Sequence, residues 1–293
     1  MDALPIKINL GLDKFTKTIS DALGLTAKGI KKNADAKSYA AIKEAETNTE
    51  VELLKLQGED KIAAYILNRD KNKFNNVENI ISKAENLFDP NEQVSDEPVE
   101  KEWMNRFLNI VEEISDESMS NLWAQLLAGE IKRPKSYSLR SLEVLRNMTK
   151  EEAVLLVKSS RFLINLESIC TEDFALNLED SIKLEDIGII CGEELNTTYT
   201  CTENGKIKII LNPWLLINIY AKHGSKIVLK NRRLTKAGTQ IIKLIQEQDC
   251  SNFLSDLSKH LKQEGADRVT VNKIISWKNN ITYTYIPHKE LEI

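Results

Sequence analysis

From Trp103 to Asn165 the apolar residues return every third or fourth position, punctuated by one proline, one glycine and a series of capping residues. That period fits one face of a helix and cannot be buried by a strand, whose side chains alternate every second residue. Trp103, Phe107, Ile110, Val111 and Ile114 make the first stripe. "ISDES" interrupts it, and Ser115 or Asp116 is placed to cap a second helix with Met119, Leu122, Trp123, Leu126 and Leu127 inward. Gly129 and Pro134 end that helix, and Ser138 opens a third with Leu139, Leu142 and Leu145 on its inner face. Thr149 and Glu152 form a T-x-x-E capping box at the start of a fourth, expected to run to about Asn165. Short helices with short connections predict a compact central bundle over residues 103–168.

Residues 1–88 read as an N-terminal helical extension. Leu12, Phe15, Ile19 and Leu23 share one helical face before Gly24 interrupts it, and an Ala-, Glu-, Lys- and Leu-rich stretch follows. Phe74, Val77, Ile80, Ile81, Ala84, Leu87 and Phe88 then repeat at three-and-four spacing, a packing stripe that suits a helical hairpin or a coiled-coil seam. Self-association through residues 33–88, and hence a homo-oligomer, is the expectation. Residues 89–102, "DPNEQVSDEPVEKE" with the last Asp-to-Glu run acidic and two prolines, read as a linker.

The last third, residues 169–293, changes to α+β. "TTYTCTENGKIKIIL" predicts a β-hairpin turning at Asn204-Gly205, and Asn212-Pro213 is read as the cap of a helix, "WLLINIYAKHG". "SKIVLKNRRL" is a strand leading through Thr235 into a helix, "NLEDSIKLED" a surface turn, and a helix from Ser251 to Lys262 precedes strand-like "RVTVNKIISW" and "ITYTYI". The expected fold is therefore mainly α, with long N-terminal helices, a central helical bundle and a C-terminal α+β region holding winged-helix-like β-hairpin elements.

Composition narrows the function classes. Apolar residues at 42% and charged residues at 29% suit a folded chain with a soluble surface, and the net charge of −4 gives no global attraction to nucleic acid. No apolar run has bilayer-spanning length and the N-terminus lacks a secretory pattern, so a cytoplasmic protein is expected. Cys170, Cys191, Cys201 and Cys250 show no C-x-x-C pair and are expected as reduced thiols.

Chemistry-bearing motifs are sparse. Gly224-Ser225-Lys226 lacks the Gly-rich loop of a phosphate-binding turn, and no G-x-S-x-G occurs. Cys170, Cys191, Cys201 and His223 match no common zinc spacing, so neither metal nor cofactor is expected. His223, His260 and His288 are isolated and read as surface groups. Glu59-Asp60-Lys61 has the E-x-K spacing of metal nucleases but sits in a helical stretch, where a solvated face is the simpler reading. Lys226, Lys230, Arg232, Arg233 and Lys236 form a basic run across a strand and the L-T-x-x-G turn, which keeps phosphate contact by a wing-like element open. Lys28, Lys31, Lys32 and Lys37 follow the first amphipathic helix and keep a contact with an anionic membrane surface open.

The stretch "LWAQLLAGEIKRPKSYSLRSLEVLRNMTKEEA" resembles the signature of a bacterial family of unknown function: a Trp-containing L-W-A-x-L-L-A-G-E helix, a S-L-R-x-L-E-x-L helix, then a capped helix. The resemblance extends upstream through "NVENIISKAENLF" and downstream to "LTKAGTQIIKLI". The arrangement is similar to that of the abortive-infection alpha proteins, bacterial factors linked to phage resistance. It implies a defence or stress setting and no catalytic residues, leaving Trp123, Glu130, Arg140, Glu143, Thr149 and Glu152 as motif residues with structural work. Arg140 and Glu143 are three apart on a helix, and Glu130 is expected to reach Arg140 across the loop. The functional expectation is a non-enzymatic interaction or effector protein of anti-phage defence with an unidentified protein partner. The alternatives are a nucleic-acid-binding protein and a metal-dependent nuclease.

Overall fold

The computed structural model describes residues 11–23, 58–89, 92, 94–278 and 282–291. The chain divides into two compact units, Met1–Leu142 and Glu143–Ile293. Lys28, Lys31, Lys32 and Lys37, and the self-association segment before Gly58, lie outside the described residues.

In the first unit the helical period is realised as expected. Its helices are α1 (Gly11–Ala22), α2 (Gly58–Glu85), α3 (Lys101–Val111) and α4 (Glu117–Lys132), followed by α5 (Leu139–Arg146), which crosses the division. Asp116 is the cap of α4: its carboxylate accepts from the Met119 amide at 3.0 Å, satisfying one of the orphan donors of the first turn. Trp103 stacks on Phe107 at 5.3 Å, and Phe107 meets Trp123 edge-on at 5.9 Å. Ile110, Leu126, Leu127 and Ile131 are buried with them, and α2, packed along α4, adds Ile80 and Ala84. Each such side chain contributes about 1.5–3 kcal/mol by leaving water.

Within the stretch expected as a linker, Glu92 and Ser95 are tied down in this unit. Glu92 O accepts from the Gly11 amide, Ser95 N donates to Lys132 O, and Lys132 pairs with Glu92 at 2.7 Å. Phe15 of α1 packs on Phe88 at 5.1 Å; of the apolar face that suggested a membrane contact, Phe15 and Ile19 are buried, Leu12 is half-buried and Leu23 is exposed.

The second unit corrects the fold expectation: a mainly helical chain is overturned by an eight-stranded sheet. Its strands are β1 (Leu163–Ile164), β2 (Ser168–Cys170), β3 (Ile190–Thr200), β4 (Lys206–Leu211), β5 (Leu215–Tyr220), β6 (Lys226–Leu234), β7 (Arg268–Lys278) and β8 (Thr282–Leu291). They lie in the order β3-β6-β2-β1-β4-β5-β7-β8, every neighbouring pair antiparallel. Around them are α6 (Lys150–Ser159), α7 (Leu178–Asp186), α8 (Lys236–Ile241) and α9 (Ser251–Gln263).

Three local readings fail for identifiable reasons. "WLLINIYAKHG" is β5 and not a helix, because a strand apolar on both faces loses its alternation and a short apolar run then mimics a buried helix. Asn212 (φ 49°) makes the turn before it, its Oδ1 accepting from the Trp214 amide at 3.0 Å in place of capping a helix. The chain turns at Asn204-Gly205, with Gly205 at φ 63°, but the expected hairpin does not form: β3 pairs with β6 and β4 with β5. A turn signal reports reversal and carries no information on partners. "NLEDSIKLED" is α7, started by Asn177, whose Oδ1 accepts from the Asp180 amide at 2.8 Å, with Glu179 and Asp180 suited to the positive end of the helix.

The winged-helix-like reading of β6 is likewise corrected: β6 is an interior strand between β3 and β2. One sheet face is covered by α9, whose Phe253, Leu257 and Leu261 share a core with Ile207, Ile209, Ile217, Ile219, Val269 and Val271. Among the described residues the edge strands of the sheet are β3 and β8. β3 carries an irregularity between Cys191 and Leu195 with Glu193 and Glu194 exposed, and β8 contains Pro287, which has no amide to offer a further strand.

Candidate functional site

The resemblance motif converges on one buried carboxylate. Glu130, 2% exposed at the end of α4, accepts from the Lys135 amide at 2.7 Å through Oε1 and from the Tyr137 amide at 2.9 Å through Oε2. Burial raises its pKa above the ordinary carboxylate value, partly offset by the backbone donors of Tyr137, Lys135 and Ser136. Gly129 is needed beside it, since a Cβ there would lie 2.9 Å from the Tyr137 ring. Tyr137 is itself half-buried, and desolvation pushes its phenol up to about 12, so it stays protonated.

The surroundings of Glu130 were only partly expected. Lys14 of α1 is buried, donates to Ser95 O, and is within electrostatic reach of Asp96, Glu97 and Glu130; Lys135 pairs with Glu97. Arg140, expected to meet Glu130, is exposed on α5, and Glu143 is half-buried. With each oxygen accepting from a main-chain amide, buried Glu130 serves as a loop clamp. No local signal singles out Lys14 and Ser95: Lys14 lies off the apolar stripe of α1, and only the fold brings it to Ser95, 81 residues on.

The other motif residues are structural. Trp123 is fully buried, and its Nε1 has no hydrogen-bond partner, as is true of Trp103. In the second unit Thr149 Oγ1 accepts from the Glu152 amide at 3.2 Å, and Glu152 Oε2 accepts from the Thr149 amide at 2.7 Å, the reciprocal box expected.

The stripe of α2 is divided. Ile80 and Ala84 are consumed by the unit's core and Val77 and Ile81 are half-buried, whereas Phe74 is 60% exposed, Ile66 43% and Leu87 43%. On another flank of α2, Tyr65, Asn68, Arg69 and Asn72 line an open groove of about 410 Å³ closed by Glu112 and Glu113. Lys73 pairs with Glu112, and Asn76 donates to Glu112 O at 2.9 Å, fixing the groove floor. Glu59, Asp60 and Lys61 open α2, far in sequence from any strand.

The basic run of β6 is dispersed. Arg232 is buried: it donates to Gly192 O and to Ser181 Oγ and pairs with Glu185 at 2.6 Å. Lys226, Arg233 and Lys236 are exposed and Lys230 is half-buried. Thr235 caps α8 through the Gly238 amide at 2.9 Å, so L-T-x-x-G is a strand-to-helix junction.

Thiols and imidazoles form no reactive cluster among the described residues. Burial pushes the Cys170 thiol up to about 12 and raises that of Cys250, while Cys201 Sγ donates to Ala221 O. His260, expected at the surface, is half-buried, with Nε2 3.1 Å from Val228 O and 3.8 Å from Glu172 Oε1. Among the described residues no group of His, Cys, Asp and Glu could hold a metal ion, and no helix is long and apolar enough to cross a membrane.

Residues 60–171 match the family model described as Protein of unknown function (DUF2806). The matched span runs from the first turn of α2 to the residue after β2, and so takes in Trp123, the Glu130 loop and the capping box of α6. No curated protein and no solved structure matches the chain.

Proposed function

We propose that this chain is a non-enzymatic interaction protein that pairs with a second copy of itself through α2 and acts as an effector in bacterial defence against phage. The observation that carries the pairing is the placement of the exposed apolar residues: Ile66 and Phe74 stand four residues to either side of Asp70. Two copies of α2 crossing antiparallel at Asp70 set Ile66 of each against Phe74 of the other, a self-complementary contact of the kind a two-fold axis requires. Arg69 already neutralises Asp70 at 3.1 Å, which removes the repulsion at the axis. The defence setting is supported by the likeness of the Trp123 and Thr149 helices to the abortive-infection alpha proteins.

The pairing is tested on the full chain by sedimentation equilibrium, comparing wild type with Ile66→Asp plus Phe74→Asp. A dimer mass that falls to a monomer mass, with circular dichroism unchanged, is expected; equal masses overturn it. Ile80→Asp is unsuitable, because Ile80 is fully buried and its loss unfolds the unit. For the defence setting, phage plating on bacteria expressing the wild type is expected to fall and to recover with the double variant. Equal plating with and without the wild-type protein removes that part of the proposal.

A further inference from the structure

Along one ridge of α2 the carboxamides of Asn68, Asn72 and Asn76 recur every fourth residue, and all three line the open groove of about 410 Å³. Asparagine is a poorer helix former than the Glu, Lys or Gln that serve on a solvated face. Three on one ridge call for a use beyond solubility.

One such use is present at the lower end of the row. Asn76 Nδ2 donates at 2.9 Å to Glu112 O, one of the carbonyls that the end of α3 leaves without an intrahelical donor. Asn76 therefore already binds main chain. α3 stops at this point, and Asn72 and Asn68 continue the row along the groove with no side-chain hydrogen bond among the described residues. The charges beside them cancel in pairs, Arg69 with Asp70 at 3.1 Å and Lys73 with Glu112, so the groove selects neither an anion nor a cation. What it offers is a row of neutral groups that each donate and accept, with the exposed Tyr65 ring at the far end.

A carboxamide has the donor and acceptor complement of a peptide group, so one Asn side chain can meet both the C=O and the N–H of a single residue. The spacing suits such a ligand: four residues of helix rise about 6 Å, and same-face residues of an extended chain are about 6.8 Å apart. We infer that this groove binds an extended peptide segment of a partner protein through its main chain, with Asn68 and Asn72 each holding one residue and Tyr65 covering an apolar side chain. From Tyr65 to Asn76 the helix rises about 16 Å, room for about five extended residues. The site rests on the reading of the chain as an interaction protein and gives its partner a chemical class. It is separate from the pairing face, because Asn68 and Asn72 stand two residues on from Ile66 and Asp70, about 160° around the helix.

Selection of displayed short random peptides on the full chain, followed by fluorescence anisotropy of the enriched sequences, tests the site. Asn68→Ala plus Asn72→Ala raises helix propensity, which keeps α2 intact, and is expected to weaken binding roughly tenfold or more with the sedimentation mass unchanged. Ile66→Asp plus Phe74→Asp is expected to do the reverse, changing the mass and leaving peptide affinity as it was, so loss of pairing and loss of peptide binding are read apart. N-methylation of alternate backbone amides in an enriched peptide is expected to weaken it as much as the double alanine variant does. The inference is overturned if no peptide is enriched on the wild type over Asn68→Ala plus Asn72→Ala, or if N-methylation leaves binding unchanged. It is also overturned if a synthetic peptide of residues 24–57 displaces every enriched sequence, which would assign the groove to the chain itself.

Discussion

The backbone amide of Tyr137 donates to Glu130 Oε2 across 2.9 Å, and the Lys135 amide, two residues back, donates to the other oxygen of the same carboxylate. One side chain thus sets the course of the loop between α4 and α5. Glu130→Ala, leaving two main-chain donors unmet, is expected to cost about 3 kcal/mol in urea unfolding. Glu130→Gln retains one acceptor and removes the titration. Because burial raises the folded-state pKa of Glu130 above its unfolded value, its protonation contributes stability that is complete below the ordinary carboxylate range and is lost as pH rises through the raised value. The stability gap between wild type and Glu130→Gln should therefore narrow as pH rises through that window; a gap independent of pH contradicts the burial effect.

Trp123 fills the centre of the first unit without a hydrogen bond at Nε1. Trp123→Ala is expected to cost about 3–5 kcal/mol through the cavity it leaves. Trp123→Phe gives up volume but no polar partner, and should cost less than half as much. Equal costs, measured by denaturant melts, would show that the indole N–H is satisfied in solution.

Gly238 lies against the main chain, where a Cβ would come within 2.1 Å of Ile189 O. A carbonyl cannot swing aside as a side-chain tip can. Gly238→Ala should fall at the upper end of the roughly 1–3 kcal/mol range for overpacking and exceed Gly129→Ala, whose neighbour is the Tyr137 ring. Differential scanning calorimetry of the two variants ranks them.

Arg232 belongs to the architecture of the second unit. Arg232→Met strands Gly192 O and Ser181 Oγ and removes the pair with Glu185, with an expected cost of about 3 kcal/mol. A nucleic-acid assay on Arg232→Glu would therefore report unfolding first, and a melt of that variant as stable as wild type would refute the structural role.

The helices α4 to α6 were legible because period, caps and breaks all point the same way: Asp116, Ser138 and the Thr149–Glu152 box are local signals that lie next to what they control. The sheet was less legible because its decisive facts are pairings between distant residues, such as Leu195 with Asn231 and Ile217 with Val271. The Glu130 clamp lay between these extremes. Its residues were singled out, but its partners are main-chain amides and not the Arg140 guanidinium, a distinction side-chain chemistry alone does not reveal. Asn68 and Asn72 went unnoticed since a polar helix ridge reads as a solvated face, and only the end of α3 against Asn76 gives the row a use.

The jog in β3 with its paired glutamates, and the proline in β8, leave poor templates at both margins of the sheet. Addition of a further strand from a neighbouring molecule is disfavoured at each end.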